Sequence, residues 1–396
     1  MQPAKTEPPT VAIVGAGPAG LCLARILQLA KFKAIIFEAD ESAQFRSQGG
    51  SLDLHAGTGQ RALKVAQLFS EFLVKVQQGA DGMCIMNETG KILYQDAGDG
   101  GRPEILREDL KTLLLDSLEE GTVKWGHKLV KVEPPDMGAE KIKLSFTNGT
   151  VACADIVVGA DGTWSKVRPV LTTTKPDYTG VSLYEIILPL NHDTSFFPKG
   201  TLTAMQNTGA GAVVMAHLFG SFGRVYVAKR CQEPLELQQQ TPQEMVDDWT
   251  PEIKDLVGSA PAIQRDLFAL PTGFMWSEEK ENWKSRVALI GDAAHVMSPF
   301  AGEGANLALA DAADLASALV KAFKAGGEYG SAIALFNQKT MWPRAKEAAT
   351  ESANNLEVFF SNGGAEGITA WFKEMMSWRN MFWMIIVKPV LRLLGF

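Results

Sequence analysis

Three glycines, Gly15, Gly17 and Gly20, stand in the run VAIVGAGPAG, and Glu38 follows them at the end of KAIIFE. This pattern lets the chain turn at Gly15, bare backbone meet a pyrophosphate at Gly17, and a helix pack closely at Gly20. An acidic side chain about 20 residues further on accepts hydrogen bonds from both ribose hydroxyls and repels a 2′-phosphate, which favours FAD or NAD over NADP. A second glycine-bearing stretch, LIGDAAHVMSPFAGEGAN, carries Asp292, Gly302 and Gly304. Its glycines admit a flat ligand to the backbone, and free N–H groups in the helical turn that follows favour developing negative charge. Asp161 and Gly162 lie between the two, in VVGADGTWSKVR. Asp161 and Asp292 fit a cofactor site or plain turn formation. His55 in LDLH and His295 in GDAAH each read as a structural histidine or as a proton carrier.

The elements that position these groups follow from apolar spacing. Residues 11–14 form a β-branched strand, Leu23, Ile26, Leu27 and Ala30 have helical spacing, and KAIIFE is a second buried strand, which completes a βαβ unit. From about residue 176 to 275 the texture alternates as in an antiparallel sheet, with AVVMAHLF and RVYVAKR joined at Gly220 and Ser221. RVALIG then predicts a buried strand, and Leu307, Ala308, Ala312, Leu315 and Leu319 give the apolar face of a long helix.

Bulk properties restrict the function. The chain has 396 residues and a net charge of -7 without a basic stripe, so nucleic acid is not expected as a partner. Cys22, Cys84, Cys153 and Cys231 form no CxxC pair, so no metal site or disulfide framework is expected and all four read as buried thiols. MQPAKTEPPT has no apolar signal core, and the expected compartment is the cytoplasm. Trp371, Met375, Trp378, Phe382 and Ile385 fall at helical steps, but the uninterrupted run Met381 to Val387 is far shorter than the roughly 20 residues of a membrane span. Two readings stay open for this end: a last helix docked on the protein, or peripheral membrane contact with Lys388 and Arg392 at the headgroups.

Together the GAGPAG, DG and GD motifs resemble the class A flavoprotein monooxygenases, which include salicylate-hydroxylase-like aromatic hydroxylases and tetracycline-inactivating monooxygenases. RSQGGSLDLHAGTGQRALKVAQL and PEILREDLKTLLLDSL are similar to the tetracycline-inactivating branch. The resemblance implies an α/β fold: a Rossmann-like FAD-binding domain (1–75, 101–175 and 276–340), an inserted antiparallel-sheet substrate domain (76–100 and 176–275) and C-terminal helices (341–396). It implies FAD, with Gly15, Gly17 and Gly20 at the pyrophosphate, Glu38 at the adenosine ribose and Asp161 in the DG motif. Arg107 would lie at the flavin side, Asp292 at the ribityl chain, the Ala305 backbone at the isoalloxazine edge, and Gly50 and Asp53 near the flavin. Arg107 can also be read as a helix-end residue.

Arg46 matches an arginine that the tetracycline branch associates with the nicotinamide donor, or is a surface ion-pair residue. It and His55 are the catalytic candidates, and no base is assigned. NADPH or NADH would bind transiently, since no second GxGxxG appears. The family reaction reduces FAD, adds O2 at C4a and delivers a hydroxyl group to an electron-rich carbon of a small molecule already ionised as phenolate or enolate. Pro299, Phe300 and Gly302 would lie between flavin and substrate, with Gln206 and Phe219 also facing the substrate. The inserted sheet departs from the drug-binding pattern, carrying Thr201, Leu202, Thr203, Met205, Gln206 and Tyr226. Phe219, Phe222, Trp276 and Phe300 suggest an aromatic or polycyclic enol, and a monomer is expected. A nicotinamide dehydrogenase, a halogenase and a non-enzymatic flavin-binding protein are the rival readings; the halogenase WxWxIP signature is absent.

Overall fold

The computed structural model describes residues 7–45, 50–77, 82–135, 140–189, 191–206, 211–219, 222–234, 236–277 and 283–382. Arg46, Ile385, Lys388 and Arg392 lie outside the described residues, as do the side chains of Phe219, Phe222, Met375, Trp378 and Phe382. The first third of the chain runs through β1 (Thr10–Val14), α1 (Pro18–Leu29), β2 (Lys33–Phe37), β3 (Ser51–Asp53), α2 (Arg61–Val65), α3 (Phe69–Lys75), β4 (Gly82–Asn87), β5 (Ile92–Asp96), β6 (Glu104–Leu106) and α4 (Arg107–Asp116). There follow β7 (Val123–Lys124), β8 (Leu129–Glu133), β9 (Ile142–Phe146), β10 (Val151–Ala154), β11 (Ile156–Gly159), β12 (Asp177–Ile187), β13 (Thr201–Gln206), β14 (Val213–Phe219) and β15 (Phe222–Arg230). The chain then forms α5 (Pro251–Gly258), β16 (Ala262–Ala269), β17 (Val287–Leu289), α6 (Asp292–His295), α7 (Gly304–Lys324), α8 (Tyr329–Phe336), α9 (Trp342–Phe359) and α10 (Gly364–Phe382).

Two compact units result. The first comprises residues 1–78, 100–179 and 268–353, the second 79–99, 180–267 and 354–396. Residues 341–396, expected as a segment of their own, divide between the two. Arg344 on α9 ion-pairs with Asp311 and Asp314 on α7 in the first unit, whereas α10 packs on β4, β5 and β13 in the second.

The first unit is built on a parallel sheet in the order β17-β11-β1-β2-β7. The buried runs VAIV, IVVG and VAL suit strands covered on both faces. Helix α1 packs against α7, whose buried face includes Leu307, Ala308, Ala312, Leu315 and Leu319. A short antiparallel pair, β3 with β6, brings Asp53 opposite Glu104 and Ser51 opposite Leu106.

The second unit carries a seven-stranded sheet, β16-β12-β15-β14-β13-β4-β5. β14 and β15 pair antiparallel, as expected, in register up to Phe219 opposite Phe222; the expected joint, Gly220 and Ser221, lies outside the described residues. β4 joins β13 in parallel, Gly82 opposite Thr201 and Asn87 opposite Gln206. Among the described residues no helix is long and apolar enough to cross a membrane, and no cluster of His, Cys, Asp and Glu could hold a metal ion.

One expectation is corrected. Cys22, Cys84 and Cys231 are buried, but Cys153 is exposed. It lies on the edge strand β10, where successive side chains alternate, so Ala154 points inward and Cys153 outward.

Candidate functional site

Three motif loops and Glu38 follow the carboxyl ends of four neighbouring parallel strands. In sheet order they are the GD loop after β17, the DG loop after β11, the glycine loop after β1 and Glu38 after β2. Ligands of open α/β sheets bind outside this edge. Backbone bonds continue the ladder into the loops: Ile290 N–H donates to Gly159 O, Ala160 N–H to Val14 O and Gly15 N–H to Phe37 O, each at 2.8–2.9 Å.

The three glycines of the first loop have different reasons. Gly15 has φ of +104°, and a Cβ there would come 2.3 Å from the carbonyl oxygen of Ala160. A Cβ on Gly20 would meet the Gly15 carbonyl oxygen at 2.1 Å. A Cβ on Gly17 would meet nothing within 4 Å, and its φ of −76° and ψ of 176° suit any residue. Gly17 is therefore unnecessary for the protein's own packing and leaves bare backbone at the start of α1, where helix N–H groups favour a phosphate. Glu38 fixes this loop: its Oε2 accepts the Ala16 N–H at 2.6 Å and its Oε1 the Asp40 N–H at 2.9 Å. Each oxygen retains a further lone pair for a ribose hydroxyl.

Asp161 in the DG loop also forms its turn. Its Oδ2 accepts the backbone N–H groups of Lys166 at 2.7 Å and Val167 at 3.3 Å. Its buried Oδ1 has no hydrogen-bond partner in the protein, and burial raises the carboxyl pKa against the lowering effect of these hydrogen bonds. Asp292 differs: its carboxylate is exposed at the first position of α6.

The two loops are tied together by Arg168, which is 3 % exposed. Its guanidinium donates to the carbonyls of Thr163 at 2.9 Å, Asp292 at 3.0 Å and Ala293 at 2.8 Å. Arg168 ends the quoted DG stretch, yet only the fold brings carbonyls 124 and 125 residues away to it. A second support lies beneath the GD loop. Buried Asp311 on α7 accepts from Gly291 N–H at 3.0 Å and pairs with His295 Nε2 at 2.6 Å and Arg344 at 2.8 Å. Arg344 and Arg61 both grip Asp314 one turn along. Burial alone would raise the Asp311 pKa and lower that of His295, but their mutual attraction reverses both effects, helped by Arg344 for Asp311 and by the charge of Asp292 for His295. His295 thus supports the loop.

Gly302, with φ of +69°, leads into the 21-residue helix α7. The first-turn N–H groups of Gly304, Ala305 and Asn306 have no acceptor within the helix, and no side chain caps them. Asp53 Oδ1 lies 3.8 Å from the position of a Gly302 Cβ. Asn306 joins the same group, accepting His55 N–H at 2.8 Å and donating to Asp53 O at 2.9 Å. The His55 ring is held on both sides, Nε2 to Asp53 at 2.8 Å and Nδ1 to Glu303 at 3.0 Å. Burial lowers its pKa, but hydrogen bonds and charge from Asp53 and Glu303 outweigh this and raise it to about 9. At neutral pH His55 is an imidazolium and no proton acceptor. Arg107 begins α4 with its side chain exposed, and its N–H donates to Gly50 O at 2.9 Å, which places Gly50, Asp53 and Arg107 around the β3–β6 pair.

These features fit FAD. They combine bare backbone at a helix start, a carboxylate at the end of β2 with lone pairs to spare, an exposed carboxylate beside the GD turn, and uncapped N–H groups suited to an electron-rich flavin edge. Pro299 is exposed and Phe300 half-buried just before Gly302. Trp276 is 4 % exposed and stacks edge-on against Trp342 at 5.3 Å, making it a core residue of the first unit.

In the second unit, strand alternation separates the set noted on β13. Thr201, Thr203 and Met205 share one buried face, and Leu202 and Gln206 share the other. Gln206 is fully buried, its Oε1 without a partner in the protein and its amide 3.5 Å from Ser361 O.

The family described as FAD binding domain matches residues 9–332. Among curated proteins, the chain is 28% identical to monooxygenase asqM of Emericella nidulans, over 90% of this chain and 96% of that protein. It is 29% identical to 3-amino-4-hydroxybenzoate 2-monooxygenase of Streptomyces cremeus, over 78% of each. The crystal structure of tetracycline destructase Tet(55) shares the fold with a TM-score of 0.74 at 19% identity, over 97% of each chain. The chain belongs to the FAD binding domain family and is a flavin monooxygenase of its class A, aromatic-hydroxylase-like group.

Proposed function

We propose that the protein takes electrons from NADPH or NADH and uses O2 to hydroxylate an aromatic or polycyclic enol-type small molecule. The observation that carries this reading is the row of glycine, DG and GD loops with Glu38 at four adjacent strand ends. A dehydrogenase needs the first loop and the acidic residue, but has no use for the paired Asp161 and Asp292 loops clamped by Arg168. When bound, FAD supplies the electron- and oxygen-transfer chemistry.

The protein's own work is to hold and orient. Gly17 and the start of α1 receive the pyrophosphate, Glu38 the adenosine ribose, and Asp292 the ribityl hydroxyls. Gly50, Asp53 and Arg107 flank the flavin, and the first turn of α7, with Ala305, faces the edge where negative charge grows. Arg46 remains the candidate for the nicotinamide donor. His55 is held as an imidazolium, which supports a substrate that arrives already ionised and needs no base from the protein. The name of the Streptomyces relative, 3-amino-4-hydroxybenzoate 2-monooxygenase, supports an aromatic substrate. In the first unit Pro299 and Phe300 are the proposed substrate contacts; Gln206, in the second, offers a buried acceptor for a hydroxyl substituent.

The test is stopped-flow absorbance of the purified flavoprotein with NADPH or NADH, against a panel of phenols, polycyclic enols and tetracyclines. The expected result is flavin reduction accelerated by one compound class, followed in air by a product one oxygen atom heavier. A bound flavin whose reduction no compound accelerates, or a strict preference for a small charged aliphatic acid, refutes the proposal.

A further inference from the structure

We propose that His55 is a positioning residue: by gripping Asp53 and Glu303 at once, its imidazolium fixes the end of β3 to the first turn of α7 and sets the charge beside the bound flavin. The inference rests on the reading that Asp53 and that turn face the flavin. It deepens that reading by assigning a role to a histidine the family resemblance left unassigned.

The geometry is specific. The two ring nitrogens reach carboxylates from different elements, Nε2 to Asp53 at 2.8 Å and Nδ1 to Glu303 at 3.0 Å. Both nitrogens donate only in the protonated ring, so the neutral ring can keep one of the two bonds as a donor and faces the other carboxylate with a lone pair. The backbone makes the same junction through Asn306, which binds His55 N–H and Asp53 O. The side chain of His55 is 15% exposed and those of Asp53 and Glu303 are 29% and 22% exposed, so solvent screens the cluster only partly.

Among the described residues, Arg102, 3.8 Å from Asp53, and Glu351 on α9, whose carboxyl pKa is raised by burial and by the charge of Glu303, also face it. Asp53, His55 and Glu303 together carry one net negative charge at neutral pH. Loss of the imidazolium proton to solvent makes that two, next to the turn whose N–H groups favour the reduced flavin. Reduction adds negative charge to the flavin, so deprotonation disfavours it and loosens the β3 to α7 junction.

The experiment compares wild type, His55→Gln and Glu303→Gln between pH 7 and 10. FAD affinity of the apoprotein is read by protein fluorescence, and the midpoint potential of bound flavin by dye-coupled reduction. The flavin's own alkaline titration is common to all three, so the difference from His55→Gln is the signal. In wild type the Kd is expected to rise about tenfold, a change of about 1.4 kcal/mol, as pH passes about 9, with an added drop in midpoint potential. His55→Gln shows neither break. Glu303→Gln, which keeps an acceptor for Nδ1 but removes a charge, moves both breaks about one pH unit lower. If His55→Gln fails to fold, the Glu303→Gln comparison carries the test alone.

Identical pH curves for wild type and the folded variants overturn the proposal. A change in Kd with an unmoved potential also overturns it, leaving His55 a structural clamp only. Failure of wild type to bind FAD at pH 7 overturns instead the cofactor reading on which the proposal rests.

Discussion

Replacing Asp311 by Asn tests whether the charges beneath the GD loop are held as the structure implies. Asp311 is fully buried and receives three donors: the Gly291 N–H, His295 Nε2 and the Arg344 guanidinium. Asparagine fills the same volume and can still accept on its oxygen. Its amide group then faces a donor, and the charge compensating His295 and Arg344 is gone. Removing one member of a buried ion pair costs about 3–5 kcal/mol, and Arg344 retains Asp314, so the lower half of that range is expected at pH 7. The pH dependence has a definite sign. The Asp311 pKa is lowered, so its contribution is present above the unfolded carboxyl pKa and is lost as pH falls through the folded one. That of His295 is raised, so its contribution is present below the unfolded imidazole pKa of about 6.5 and lost as pH rises through its folded value. Wild type should therefore have a stability plateau at mildly acid pH, and D311N should lose both flanks. Urea denaturation, followed by tryptophan fluorescence and by flavin release, measures the difference. A loss below about 1 kcal/mol at pH 7, or unchanged flanks, refutes the electrostatic account. So does strict additivity with His295→Gln, because residues sharing one network must couple.

Gly17→Ala separates ligand from fold. Its backbone suits alanine and a Cβ meets no neighbour, so apoprotein stability is expected unchanged or raised by about 0.4–1 kcal/mol, while the FAD Kd rises ten- to a hundredfold from about 1–3 kcal/mol of crowding. A destabilised apoprotein with unchanged FAD affinity contradicts the assignment. Arg168→Met removes three donor bonds from a buried guanidinium and is expected to cost about 3 kcal/mol, with Lys restoring little because an ammonium cannot span the fork; thermal release of flavin reads this, and full rescue by Lys counts against it. Glu38→Gln turns one of the two acceptors toward the Ala16 or Asp40 N–H as a donor, and a roughly tenfold weaker FAD Kd is expected in fluorescence titration. Unchanged affinity would mean the carboxylate serves only the loop.

The parts of this fold legible from sequence are those whose cause is local. Continuous apolar runs mark the buried parallel strands, Gly15 and Gly20 mark close approach, and the period of Leu307, Ala312, Leu315 and Leu319 marks α7. Alternation along β13 divides Thr201, Thr203 and Met205 from Leu202 and Gln206, and that period of two is in the sequence itself. What stayed hidden is pairing at a distance. His55 meets Glu303 across 248 residues, Arg344 meets Asp311 across 33, and β4 adds to β13 from the far side of α4. No periodicity encodes which charge finds which.

This division has a physical origin. A loop at the carboxyl end of a strand must offer unpaired backbone to its ligand, and so gives up the hydrogen bonds that would otherwise hold it. The structure recovers that rigidity from outside the loops. Arg168 holds two of them by their carbonyls, Glu38 holds the glycine loop by an amide, Asp311 holds the GD turn, and His55 with Asn306 holds the start of α7. Each anchor is a polar side chain aimed at backbone or at a partner of opposite charge. The motifs thus mark the backbone left open at the strand ends, and the polar residues around them account for what holds those loops.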